Sequence, residues 1–189
     1  MATALAFGAA LARECGDVDR ARTLADRNVA LSYEHGFYFW LALGMCSQGW
    51  ALYRTGGREP GLGQIRAGLS LLRNIGSRVN FAYFLSYLIE CCLEEGLIDE
   101  ARTALDEALE LCTVTFGRNY IPEIERLKAE LQAKSGDVVG AQASLDRALA
   151  SARAHGSKLL ERRASETLAS LQPALAVSLP SPPRPSTPI

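Results

Sequence analysis

The chain lacks the residue runs that would place it in a membrane, on nucleic acid or around a metal ion. No segment reaches the roughly 18 uninterrupted apolar residues of a transmembrane helix, so no membrane span is expected. Net charge is −1, with 20 basic and 21 acidic residues interspersed. That balance leaves no basic footprint for a phosphate backbone and no polybasic run for anionic lipid, which argues against nucleic-acid and membrane partners. The five cysteines (Cys15, Cys46, Cys91, Cys92, Cys112) are odd in number and include no CxxC pair. A disulfide framework and a zinc site are therefore not expected. They read as reduced, buried small hydrophobes of a cytoplasmic protein. The stretch Met1 to Ala12 is apolar but has no positively charged leading region and runs straight into Arg13-Glu14. It does not read as an export leader.

Nucleotide and catalytic signatures are equally sparse. A phosphate-binding loop needs a glycine-rich turn followed by Lys and Ser/Thr at a helix start, and Gly56-Gly57 and Gly61-Leu62-Gly63 have no such lysine. No sequence cue places either histidine, His35 or His155, beside a Ser or Cys nucleophile. A carboxylate pair among Glu90, Glu123 and Glu130 stays open, but solvated helix surface is the simpler reading. Glu130 also has Lys134 as an i,i+4 partner. The expectation is a non-enzymatic protein with no cofactor and no metal.

What the chain does have is periodicity. Gly16, Gly56, Gly96 and Gly136 stand 40 residues apart, and Gly36, Gly76 and Gly156 keep the same interval half a period later. The missing slot of the second set falls at Phe116-Gly117. Such self-similarity marks a repeat array, whose units cannot bury their apolar faces alone. With 189 residues the chain can bury about two thirds of its unfolded surface without a metal or disulfide staple.

Within the third unit, Leu85, Leu88, Ile89, Cys92 and Leu93 recur at helical spacing and stop at Gly96. Asp99 and Glu100 then suit the first turn of a second helix, whose stripe is Ala101, Ala104, Leu105, Ala108, Leu109 and Cys112. The other units repeat the plan. Ala21, Gly61, Ala101 and Ala141 share one slot, and Asn28, Gly68, Ala108 and Ala148 share another. A slot held to small residues predicts a point where two helices approach closely. Pro60 and Pro122 fit first helical turns, where a missing N–H costs little. His35 and His155 hold equivalent places in last turns, too far apart to share a metal.

These spacings predict an all-α fold, an α-solenoid of about four 40-residue helical hairpins. The units cover 1–36, 37–76, 77–117 and 118–156, and a capping helix follows over 157–171. A Pro/Ser-rich tail over 172–189 is expected to be disordered. Leu5, Phe7 and Leu11 of the first helix have no upstream neighbour to pack on. They suggest either a C-terminal piece of a longer array or self-association through this end.

The second-helix slots Ala101, Leu105, Ala108 and Ala141, Leu145, Ala148, with Gly49 and Leu52 in a first helix, resemble tetratricopeptide repeats. The period of 40 exceeds the usual length of about 34. It is similar to the long-repeat variant found C-terminal to the ATPase module of large bacterial signal proteins. Maltose-activator-type transcription regulators and fusions of a class III nucleotide cyclase to an ATPase are examples. Glu123 to Leu131, Gly136-Asp137, Ala148 to Arg153 and Glu161-Arg162-Arg163-Ala164 with Leu168-Ala169 carry that likeness. The resemblance implies a right-handed superhelix serving as a sensory or scaffolding array within such proteins; it does not imply cyclase or ATPase activity, because the residues that would carry either are absent. If the register holds, first helices line a concave groove showing Trp50, Tyr53, Tyr83, Ser86, Glu90, Glu123, Arg126 and Glu130. Aromatics beside charges suit a protein or peptide partner, or other domains of a longer parent chain. The alternatives are a purely structural spacer or oligomerisation element and a small-molecule effector sensor. Trp50 and Tyr53 admit a second reading, as plugs of the joint between units.

Overall fold

The computed structural model describes residues 1–114 and 119–178, and the regular structure among them is entirely helical. The helices are α1 (Ala2–Glu14), α2 (Val18–Glu34), α3 (Tyr38–Arg54), α4 (Arg58–Asn74), α5 (Phe81–Glu95), α6 (Ile98–Val114), α7 (Ile121–Lys134), α8 (Val138–Ala154) and α9 (Lys158–Ser178). Each packs on its sequence neighbours, and each odd-numbered helix also packs on the next odd-numbered one. The result is a stack of helical hairpins with the odd helices side by side in one layer.

The turn glycines set this geometry. All seven at positions 16, 36, 56, 76, 96, 136 and 156 adopt left-handed φ between 65° and 100°. There the residue after the glycine donates its N–H back to a carbonyl five residues earlier, as in Asp17→Ala12 (2.9 Å), Leu97→Cys92 (2.9 Å) and Ser157→Ala152 (2.9 Å). That closing bond satisfies carbonyls left open at a helix end and reverses the chain in three residues. Asp17 and Asp137 then cap α2 and α8, accepting from the Arg20 and Gly140 N–H groups. His35 and His155 are the C-cap residues of α2 and α8. The slot at Phe116-Gly117 lies outside the described residues.

The small-residue slots are where helices meet. Ala21, Ala101 and Ala141 are fully buried, as are Asn28, Ala108 and Ala148. In the second hairpin both slots are glycine, and the backbones come closer still. A Cβ on Gly61 would lie 2.6 Å from the Tyr53 nitrogen and 2.7 Å from the Gly49 carbonyl oxygen. The Asn28 amide meanwhile donates to the Trp40 carbonyl at 2.8 Å, tying α2 to the start of α3.

One continuous apolar core runs from Ala6 to Leu131 and includes Trp50, Tyr53, Phe84, Tyr87 and Leu105. Beyond it, α8 and α9 attach through two thin clusters. One is Ala129, Ala141 and Leu145, and the other Ala148, Leu149 and Ala164.

Three expectations need correction. Cys15 is exposed while the other four cysteines are buried, because it is the C-cap of α1 in an open turn. Leu5 is buried within the first hairpin, although Phe7 and Leu11 stay 50% and 64% exposed. The capping helix does not stop at residue 171 but continues to Ser178. It passes through Pro173, although a proline lacks a backbone donor and crowds the carbonyl four residues earlier, and the good helix formers Ala174, Leu175 and Ala176 follow. The remainder of the expected tail, 179–189, lies outside the described residues. Among the described residues, no helix is long and apolar enough to cross a membrane.

Paired substitutions test the close seam. Gly61→Ala should lower unfolding free energy by about 1–3 kcal/mol, because backbone atoms occupy the space. Gly63→Ala, with open space around the added methyl, should raise it by about 0.5–1 kcal/mol. Urea denaturation of both variants checks the contrast, and equal effects would contradict it.

Candidate functional site

The odd-helix layer gathers a dense set of charged and aromatic side chains from five helices. Arg13 and Glu14 come from the last turn of α1, Trp50 and Arg54 from α3, and Glu90 and Glu94 from α5. Glu123, Arg126 and Glu130 come from α7, and Arg163 and Thr167 from α9. Parallel placement of the odd helices brings these positions into one band.

At its centre the Arg13 side chain is 2% exposed. It donates to Glu90 and, at 2.6 Å, to Glu14. Its guanidinium carbon lies 4.1 Å from the centroid of the Tyr87 ring, with Tyr83 and Trp50 at 5.9 and 5.7 Å. A desolvated cation over aromatic faces is favourable, but only with its charge matched. Glu90 supplies that match and also takes Arg54 at 2.6 Å.

Arg163 closes the band. One of its nitrogens meets Glu14 at 2.8 Å, across 149 positions of sequence, and the other meets Glu123 at 2.9 Å and approaches Glu90 to 3.8 Å. Three carboxylates from three helices thus face one guanidinium. Below it, Arg126 holds Glu123 through two nitrogens (2.7 and 3.0 Å) and Glu130 at 2.5 Å, and also donates to the Thr167 hydroxyl at 3.3 Å. Tyr83 donates its hydroxyl to Glu14 at 2.9 Å and sits against the Tyr87 and Tyr120 rings.

Two cavities open onto this band, with Glu14 as a shared wall. One, of about 360 Å³, is lined by Arg13, Glu14, Trp50, Arg54, Glu90 and Arg163 among others. The second, of about 200 Å³, is lined by Glu14, Tyr83, Tyr120, Glu123, Leu159 and Leu160 among others. The indole N–H of Trp50 and the Nε–H of Arg13 are buried without an acceptor.

The eight residues expected in an open groove therefore divide. Tyr83, Glu90, Glu123, Arg126 and Glu130 converge, but Glu123 and Arg126 are buried in ion pairs. Trp50 and Tyr53 are 5% and 3% exposed and fill the joint between α3 and α5. The Tyr53 hydroxyl donates to Glu95 at 2.8 Å. Ser86 is fully buried, donates to the Tyr83 carbonyl and does not join the charged band. Tyr53 thus packs rather than lines a groove, because a bulky ring fills the gap between hairpins better than it faces water, whereas Trp50 fills the joint and still edges the larger cavity.

Arg13, Glu14, Arg54, Arg163 and Tyr87 are additions that sequence reading missed. The 40-residue register held a signal for two of them. Arg163 falls one period after Glu123 and two after Tyr83, and Arg54 lies midway between Glu14 and Glu94. Among the described residues, no group of three or more His, Cys, Asp or Glu side chains is arranged to hold a metal ion.

The carboxylates titrate differently. Glu90 is held down to about 2: burial opposes its charge, but Arg13, Arg163 and Arg54 more than offset it. Glu123 is lowered in the same way, with burial overcome by Arg126. Glu130 is raised, because burial and the neighbouring Glu123 and Glu90 charges outweigh Arg126.

No protein-family model matches the chain, and no curated protein matches it in sequence. Among solved structures, the crystal structure of BtubC (BKLC) from P. vanneervenii is similar, with a TM-score of 0.60 at 16% identity. The match covers 96% of this chain and 83% of that one. The likeness is one of all-helical fold.

Because Glu90 has its acidity increased by folding, its stabilising contribution is complete above the ordinary carboxylate value of 4.5 and is lost as pH falls towards about 2. Glu130 acts with opposite sign, its charged form being relieved by acid. Glu90→Gln should cost about 3–5 kcal/mol at neutral pH, since it leaves Arg13 buried with too little countercharge. It should also flatten the acid limb of the stability profile. Urea titrations at neutral pH and in that acid window measure both, and an unchanged acid limb would remove Glu90 from the account.

Proposed function

We propose that the chain is a non-enzymatic helical-repeat module that binds a protein or peptide on the face of its odd-numbered helices. In this reading the hairpin stack is a right-handed, tetratricopeptide-like superhelix, and the odd-helix face is its concave side. The carrying observation is the band itself: aromatic rings and ionised groups from five helices border two cavities that share one wall. Aromatic and arginine side chains in partly desolvated surroundings are the residue types from which binding hot spots are built. The periodicity and the closing segments cited above support placing such a module as the regulatory or scaffolding C-terminal part of a bacterial signalling ATPase, cyclase or transcription regulator in the cytoplasm.

Panning a random peptide library on the immobilised full chain tests the reading. Enriched peptides should bind the purified protein and lose about tenfold in affinity on Tyr83→Phe or Arg54→Ala. Both changes alter the cavity walls while sparing the main apolar core. Enrichment that ignores both substitutions, or none above bare matrix, would contradict the reading.

A second reading rests on Phe7 and Leu11. They stand exposed on α1, whereas the residues one period later, Ser47 and Ala51, are buried. That face fits contact with another copy or with a preceding repeat of a longer chain. Leu11→Glu should shift a concentration-dependent sedimentation profile to that of a monomer. A wild-type chain that stays monomeric at high concentration would eliminate self-association.

A further inference from the structure

The charged band is closed by a residue that belongs to the end of the stack. Arg163 reaches from α9 to Glu14 of α1, Glu123 of α7 and the neighbourhood of Glu90 of α5. Those three carboxylates keep arginine partners of their own without it: Glu14 and Glu90 retain Arg13, and Glu123 retains Arg126. The band left by α1, α3, α5 and α7 is then acidic. Glu14, Glu90, Glu94, Glu123 and Glu130 outnumber Arg13, Arg54 and Arg126. Arg163 therefore fills a prepared vacancy for a cation in an otherwise completed network.

The vacancy selects guanidinium over ammonium. Its acceptors approach from three helices, which matches a planar fork of five N–H donors better than a compact point charge. Tyr83, which donates to the same Glu14, supplies an aromatic wall nearby, and the smaller cavity adds Tyr120 beside Leu159 and Leu160.

The segment that fills the vacancy lies outside the main core. The continuous core ends at Leu131 on α7. Among the described residues, Ala164, with the partly buried Leu168 and Leu171, joins α9 to the two thin clusters on α7 and α8. An end helix outside the continuous core opens at lower cost than the core itself.

Building on the protein-binding reading above, we propose that the odd-helix face recognises an arginine-bearing helix of a partner protein, and that α9 occupies that place in cis through Arg163. Charge complementarity identifies the occupant: an acidic ring of Glu14, Glu90 and Glu123 takes one guanidinium, and small or apolar neighbours of that arginine seat where Ala164 and Leu160 now sit. A partner must compete with α9, so the free chain is held in a closed state. An acidic partner is disfavoured, because its carboxylate would face three others.

The test uses the full chain and its Arg163→Ala variant, probed by fluorescence anisotropy with labelled helical peptides. One probe carries residues 158–172 of this chain, and another is an unrelated amphipathic helix with one central arginine. Each is paired with a control in which the central arginine is Glu. The arginine peptides should bind Arg163→Ala roughly ten- to a hundredfold more tightly than wild type, the scale of one or two charge-assisted hydrogen bonds. The Glu controls should bind neither chain. Arg163→Lys, which keeps the charge but not the fork, should fall between the two, and circular dichroism melts verify that all three chains are folded.

Equal binding to wild type and Arg163→Ala would overturn the cis occupancy. Folded variants that bind no arginine peptide would overturn the guanidinium site. Tighter binding of the Glu peptides would overturn the partner's chemistry while leaving a peptide-binding face intact. If Arg163→Ala fails to fold, Arg163→Lys against wild type decides, and indifference between those two refutes the proposal.

Discussion

Taking the Arg13 guanidinium out of water constrains much of the inner face of this protein. A buried cation is tolerated only where countercharge and hydrogen-bond acceptors meet it in good geometry. Here Glu90 of α5 and the adjacent Glu14 provide them, with the Tyr87 ring beneath. Glu90 in turn draws Arg54 of α3, and Glu14 draws Arg163 of α9. Arg13, Glu90, Arg54 and Arg163 come from four helices, so the stack has one spacing at which every charge is matched.

That requirement and the apolar core act on different parts of the molecule. The core is continuous through the first seven helices and is built on seams of Ala and Gly that let backbones approach. Beyond Leu131 it thins to clusters dominated by alanine. The last helices are also held by polar contacts: ion pairs from Arg163 to Glu14 and Glu123 and from Arg147 to Glu125 within the fourth hairpin, and a hydrogen bond from Arg126 to Thr167. Interactions of this kind are exchangeable with charged groups of another molecule, which apolar seams are not. The division between a firm body and a polar closure is what makes a competitive binding mode physically accessible.

The hairpin plan was legible at the level of single residues. Each turn glycine within the described residues adopts the left-handed conformation that the 40-residue interval implies, and the alanine slots are buried. The site was only half legible. Tyr83, Glu90, Glu123, Arg126 and Glu130 were found because they fall on the faces of first helices. Trp50 and Tyr53 fall there too but turn into the joint, since rings of that size complete the packing between α3 and α5. Arg13 and Glu14 sat at the end of an apolar helix and were read only as a boundary. Arg163 stood only in the closing segment that carries the repeat likeness.

Local sequence determined the helices and their turns, because these depend on spacing, capping and backbone freedom within about one turn of chain. It also determined which slots must be small. Tertiary structure alone decided which charges meet. The contact between Arg163 and Glu14 spans 149 positions and follows from the cumulative placement of every hairpin between them. No local pattern encodes such a distance. A charged side chain has the same sequence signature whether it ends in water or in a buried ion pair.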